Sequence, residues 1–193
     1  KSVAAVQMLV DLYKAGGIPN LITGNQGAKS TSDGLPGGEY ANILDGPWMQ
    51  GIWTGQYPNF KPMYSPVPAG DGGSVSVVGG EDIVLTSSSK HQDAAMKFIR
   101  FTQSEKFQIA MVKTGQMTVV PAFASQQASI APYYGTFANQ LKTAKSRLAI
   151  PQASKVDTIL STDLTPAFTG TTTVKDALTK AAGEIDGLLA GGK

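Results

Sequence analysis

With 193 residues, 41% of them hydrophobic and 16% charged, the chain has the make-up of a soluble globular protein rather than a disordered one. Sixteen basic and fourteen acidic residues are spread along it for a net charge of +2, without the dense basic stripe that a nucleic-acid partner requires. Zero cysteines exclude a disulfide framework, a thiol nucleophile and thiolate metal sites, and no apolar run approaches the roughly 18 to 20 residues of a membrane span.

Val3, Val6, Leu9, Val10 and Tyr13 recur at three-to-four spacing and predict an amphipathic helix over residues 2–15, stopped by Gly16-Gly17 and Pro19. Lys1 stands inside that pattern with no initiator methionine and no leader, so the chain is expected to be part of something longer. Residues 20–38, rich in Gly, Ser, Thr and Asn, predict a long surface loop. "YANILDG" (40–46) has the pattern of a short strand, and residues 46–73 are too broken by Pro and Gly for a long helix or a regular sheet. "KPMYSPVPAG" is expected to be extended, and "SVSVVGGEDIVLTSSS" to form two extended segments on either side of Gly79-Gly80.

Serine caps then introduce a helix with Ala94, Ala95, Phe98, Ile99 and Phe101 on one apolar face. Ser104 caps the next, which carries Phe107, Ile109, Ala110, Met111 and Val112 inside and ends at Gly115. Pro132 opens a helix expected to reach Ser146, and Pro166 is expected to kink or end the helix that follows "SKVDTIL". The last helix begins with a capping-box variant, Thr173 and Asp176, and buries Ala177, Leu178, Ala181, Ile185, Leu188 and Leu189. The expected chain is helix-rich with a few short strands and no internal repeat.

Catalytic constellations are largely missing. His91 is the lone histidine, and "GGSVS" (72–76) departs from a nucleophile elbow at Ser76, where that turn needs glycine. One histidine without cysteine does not supply a usual zinc set, and no phosphate-binding glycine loop occurs, so neither metal nor cofactor is expected. Glu81 and Asp82, as neighbours on an extended segment, point to opposite faces and do not form a carboxylate dyad.

Six of the fifteen large aromatics lie between Tyr40 and Tyr64, with Trp48 directly after Gly46-Pro47. Such residues anchor a broken segment in a core, or present flat apolar faces to a sugar ring while Asp45, Gln50, Glu81 and Asp82 take its hydroxyls. Gly79-Gly80 is either a bend in a sheet or a place where backbone N–H groups meet a ligand at a crossover between lobes. The basic cluster Lys142, Lys145, Arg147 and Lys155 is a solvated helix end or, through Arg147, a ligand contact.

Read in order, "YANILDGPWMQGIW", "YSPVPAG", "VVGGEDIVLTSSSKHQDAAMKFIRFTQSEKFQ" and "TVKDALTKAAGEIDGLL" resemble the C-terminal half of the extracellular solute-binding proteins of ABC importers, in the sugar-binding class typified by maltose-binding protein. The resemblance runs from Ser2 to Leu189 through Gly46-Pro47-Trp48, Pro66-Val67-Pro68, Gly79-Gly80 and the Ser89-Lys90 helix with Ala94, Ala95 and Phe98.

It implies a two-lobed α/β fold of the periplasmic-binding-protein kind. Residues 1–78 and 125–193 would form the second lobe, and residues 79–124 a crossover and a segment packing with the first, whose N-terminal part has no counterpart here. Without that part, the helices after Ser89 would expose an apolar face. The resemblance further implies a monomer that captures a small molecule, a carbohydrate above all, and hands it to ABC permease subunits without catalysis, in the periplasm or as a lipoprotein at the outer face of the cytoplasmic membrane. Trp48 falls on the family's stacking tryptophan, Gly79, Gly80 and Glu81 on the crossover lining the cleft, and Arg147 on a further cleft position, with Asp45 as a polar contact. Asp157 stands where maltose-binding protein has a stacking aromatic, and a carboxylate accepts hydroxyls but does not stack. Maltose specificity is therefore not implied. A non-sugar ligand, or a glycoside-active enzyme using Asp45 and Glu81, are the competing readings.

Overall fold

A computed structural model describes residues 1–19 and 28–191. In chain order its elements are α1 (Ser2–Lys14), α2 (Thr31–Gly34), α3 (Met49–Gln56), β1 (Val77–Val78), α4 (Gln92–Thr102), α5 (Glu105–Lys113), a 3-10 turn (Pro121–Phe123), α6 (Ala124–Ile130), α7 (Tyr134–Leu141), β2 (Lys145–Ser146), α8 (Ala153–Thr169) and α9 (Val174–Ala190). The helix-rich, strand-poor composition expected from the sequence is what the structure has. Close contacts divide it into two units, the described residues of 1–29 with 148–193, and residues 30–147. Both lobe boundaries expected above, after residues 78 and 124, fall inside the second unit.

In the first unit α8 and α9 form a helical hairpin across the four-residue connection 170–173, and α1 packs on both. Val10, Ala167, Val174 and Ala177 are its buried centre, flanked by Val6, Leu164, Phe168 and Leu178, with Tyr13 edge-on to Phe168 at 5.6 Å. Gly16, at φ 77°, ends α1 as expected, although Val3 and Leu9 of the predicted stripe stay exposed. Of the two expected outcomes, a kink or an end, Pro166 does not end α8. It stands in the last turn, three residues before Thr169, and left-handed Gly170 terminates the helix instead. Thr173 caps α9 as expected: its hydroxyl oxygen accepts the Asp176 N–H (3.1 Å) and its hydroxyl donates to the Asp176 carboxylate (2.7 Å).

In the second unit α5 and α6 pack around a buried polar knot. Gln108 donates to the Thr102 carbonyl and accepts from Thr118 Oγ1 and the Val119 N–H, while Gln127 accepts from the Thr118 N–H. Met49, Trp53, Val112 and Tyr134 are buried apolar groups of this unit, and the Tyr134 hydroxyl donates to the Val112 carbonyl at 2.5 Å.

Several strand expectations are corrected. Residues 40–46 form no strand: among the described residues no segment pairs with them in a ladder. The two extended segments around Gly79-Gly80 reduce to Val77–Val78, paired in parallel with Lys145–Ser146, so α7 ends at Leu141 and not at Ser146. Met49–Gln56 is a two-turn helix within a stretch expected to be too broken for a long one. The loop expected over 20–38 lies partly outside the described residues, at 20–27, and 31–34 is a helical turn. The apolar face of α4 is not covered among the described residues: Phe98 is 54% and Phe101 44% exposed.

Candidate functional site

The turn that carries Trp48 is held from three sides. Asp45 accepts the Gly46 N–H at 2.8 Å with one carboxylate oxygen and the Thr31 hydroxyl at 2.9 Å with the other, tying the turn to α2. Gly46 and Pro47 are buried, and the carbonyls of Gly46 and Pro47 accept the first N–H groups of α3. From behind comes Gly115, whose φ of +100° closes α5. A Cβ there would lie 3.1 Å from the Trp48 Cα and 3.2 Å from its carbonyl oxygen, so both its dihedral and this close approach require glycine.

Out of this turn the Trp48 side chain projects 46% exposed, with the benzo half of the indole lying against Gly46. Trp53, one turn further along α3, is buried instead. Its indole N–H donates to the Ser32 carbonyl at 2.9 Å and its ring meets Phe60 edge-on at 5.1 Å. The pair expected from the sequence thus divides into an exposed and a supporting member.

A second aromatic group missed by the sequence reading lies beside α3. Tyr64 stacks on Tyr133 at 5.0 Å, Tyr133 stacks on Tyr134 at 4.4 Å, and Phe137 meets Tyr64 edge-on. The Tyr64 hydroxyl donates to Gln50 of α3, two residues from Trp48. Burial, and then the neighbouring Tyr133, push the Tyr64 hydroxyl up to about 12; burial chiefly raises Tyr134 as well. The signal was the "YYGTF" spacing at 133–137, which puts Tyr133 and Phe137 on one helical face.

Gly79, Gly80 and Glu81 follow directly on β1 and are exposed; Arg147 follows directly on β2 and is exposed. Val77 pairs with Lys145 and Val78 with Ser146, so Gly79 and Arg147 each follow the last pair of one parallel ladder. Asp157 is exposed on α8, in the other unit. Asp45 and Trp48 thus form one group and Gly79, Gly80, Glu81 and Arg147 another within the second unit.

Grooves of about 410 Å³ along α5 and α6, and about 440 Å³ between α8 and α9, are lined by none of these residues. An exposed tryptophan with polar neighbours is the better ligand-facing chemistry. Among the described residues no cluster of three or more His, Cys, Asp or Glu is suited to a metal ion, and no helix is long and apolar enough to cross a membrane.

Residues 1–109 match the family of bacterial extracellular solute-binding proteins. No curated protein matches the chain significantly.

Proposed function

From the premise that the chain belongs to the bacterial extracellular solute-binding proteins, which act outside the cytoplasm and bind small molecules, we propose that it captures a carbohydrate and delivers it to an ABC permease without catalysis. The observation that carries this reading is Trp48, a large aromatic held half-exposed on a turn braced by Asp45 and Gly115. Such a face suits the C–H face of a sugar ring and needs no reorganisation to receive it.

Asp45 has unused lone pairs for sugar hydroxyls beside its two structural hydrogen bonds, and Glu81, Arg147 and the Gly79-Gly80 backbone supply further polar contacts on solute closure. Asp157, exposed on α8, offers a further carboxylate for hydroxyls. Under this reading residues 1–78 and 125–193 share one lobe, residues 79–124 form the crossover and pack with the other, and the protein works as a monomer in the periplasm or anchored by lipid.

Calorimetric titration of mono- and oligosaccharides against the parent chain and Trp48→Ala tests the proposal. Loss of a buried stacking aromatic costs about 2 kcal/mol, roughly thirtyfold in affinity. Equal affinity in the two proteins for a sugar that binds would remove Trp48 from the site, and saccharide-independent binding of a peptide or polyamine would replace the ligand class.

A further inference from the structure

We infer that Gln140 is the positioning residue that sets the register of β1 against β2, and with it the place at which Gly79 and Arg147 leave the ladder. The two strands contribute two residues each, and a ladder of two pairs is too short to choose its own register. A slip of one residue would set Arg147 opposite Val78 or Gly80. The register is therefore fixed outside the ladder.

Gln140, in the last turn of α7, makes the connection. Its Oε1 accepts the Val67 N–H at 2.9 Å, and its Nε2 donates to the Ser74 carbonyl at 3.4 Å and to Thr143 Oγ1 at 3.0 Å. The Ser74 hydroxyl, 3.1 Å from the same Oε1, closes on the Val67 carbonyl at 2.5 Å. One side chain thus holds both ends of the 67–74 loop, itself pinched by the Gly70–Gly73 bridge. Ser74 stands three residues before β1 and Gln140 five before β2, so the amide acts as a rung ahead of the ladder. The Lys145 N–H then donates to the Ser76 carbonyl at 2.8 Å, the first backbone bond beyond that rung. An amide fits this position because it must accept from one backbone group and donate to another, which no single-function side chain does.

The bearing of this register on ligand rests on the proposed function, in which Glycines 79 and 80 and Arg147 contact the solute; the register itself does not. The test is amide hydrogen exchange followed by NMR on the ligand-free chain, in the parent, Gln140→Leu and Gln140→Glu. Lys145 exchange is expected to accelerate tenfold or more in Gln140→Leu, while the Gln108 amide inside α5 keeps its parent rate. Gln140→Glu, which retains the acceptor for Val67 but not the donor for Ser74, is expected to fall between, and carries the test if the leucine variant does not fold.

Parent-like Lys145 protection in the variants would overturn the inference. So would equal acceleration at Lys145 and Gln108, the mark of general destabilisation. Saccharide affinity of the variants separates the two levels: accelerated Lys145 exchange with unchanged affinity upholds the role of Gln140 and refutes the placing of Gly79 and Arg147 at the ligand.

Discussion

Replacing Gly46 by alanine puts a methyl carbon 2.1 Å from Cη2 and Cζ3 of Trp48 and 2.4 Å from Cε3. Real Cβ atoms essentially never approach heavy atoms within 3.0 Å, so the ring has to retreat by at least the difference, about 0.9 Å, and by about 1.4 Å to reach ordinary carbon contact. The backbone has little room to yield, because Gly46 and Pro47 are buried and Gly115 presses on the Trp48 Cα. Rotation of the indole about its side-chain torsions remains, and this moves it off Gly46 towards solvent. Overpacking and off-rotamer strain together predict a loss of about 1 to 2 kcal/mol, a fall in melting temperature of about 2 to 8 °C for a chain of this size.

Two-dimensional NMR of the indole N–H groups reads the change directly. In Gly46→Ala the Trp48 resonance is expected to shift and the Trp53 resonance, fixed on the Ser32 carbonyl, to stay. Acrylamide quenching of tryptophan emission is expected to strengthen in parallel. An unmoved Trp48 resonance, unchanged quenching and a parent-like melting temperature would refute the packing of Trp48 on Gly46 and the rigidity ascribed to this platform.

Trp53→Phe leaves the Ser32 carbonyl without its indole donor and is expected to lower unfolding free energy by about 1 to 3 kcal/mol in urea titrations, without a change in ligand contact if Trp53 only supports the wall. Tyr64 binds its proton more tightly folded than unfolded, so its contribution is complete below pH 10 and lost as pH rises through about 12; alkaline unfolding followed by circular dichroism is expected to be displaced towards higher pH in Tyr64→Phe. Thr173→Ala removes the α9 cap and is expected to cost about 1 kcal/mol, read by thermal unfolding. Lys180 Nζ bonds the Asp163 carboxylate, whose side chain is only 1% exposed and whose second oxygen has no partner. Lys180→Met is therefore expected to destabilise more than the double change Lys180→Met with Asp163→Leu, and the reverse order in urea would refute this account of the buried pair.

Helices bounded by local chemistry were legible in the sequence. Gly16 ends α1, Ser104 caps α5, and Thr173 with Asp176 opens α9, because each signal acts within four residues of chain. The strands were not legible, because a strand exists only where another segment supplies its ladder. Residues 40–46 have a strand's composition yet form none, while Val77–Val78 finds a ladder at Lys145–Ser146, a pairing no local pattern announces. Burial on α4 failed for the same reason: Phe98 and Phe101 lie on a stripe whose covering surface is not within the described residues. Asp45 and Trp48 were legible as neighbours on a turn, whereas the β1–β2 pairing and the Gln140 contact with Val67 join segments more than sixty residues apart.

Tryptophan-fluorescence titration with a panel of mono- and oligosaccharides and polyols tests solute capture at Trp48 most directly. A saturable change with one sugar class, abolished or weakened about thirtyfold in Trp48→Ala, is the predicted result. A folded protein that stays silent across the panel, and then binds a solute without a ring face at an affinity that Trp48→Ala leaves untouched, would contradict the account.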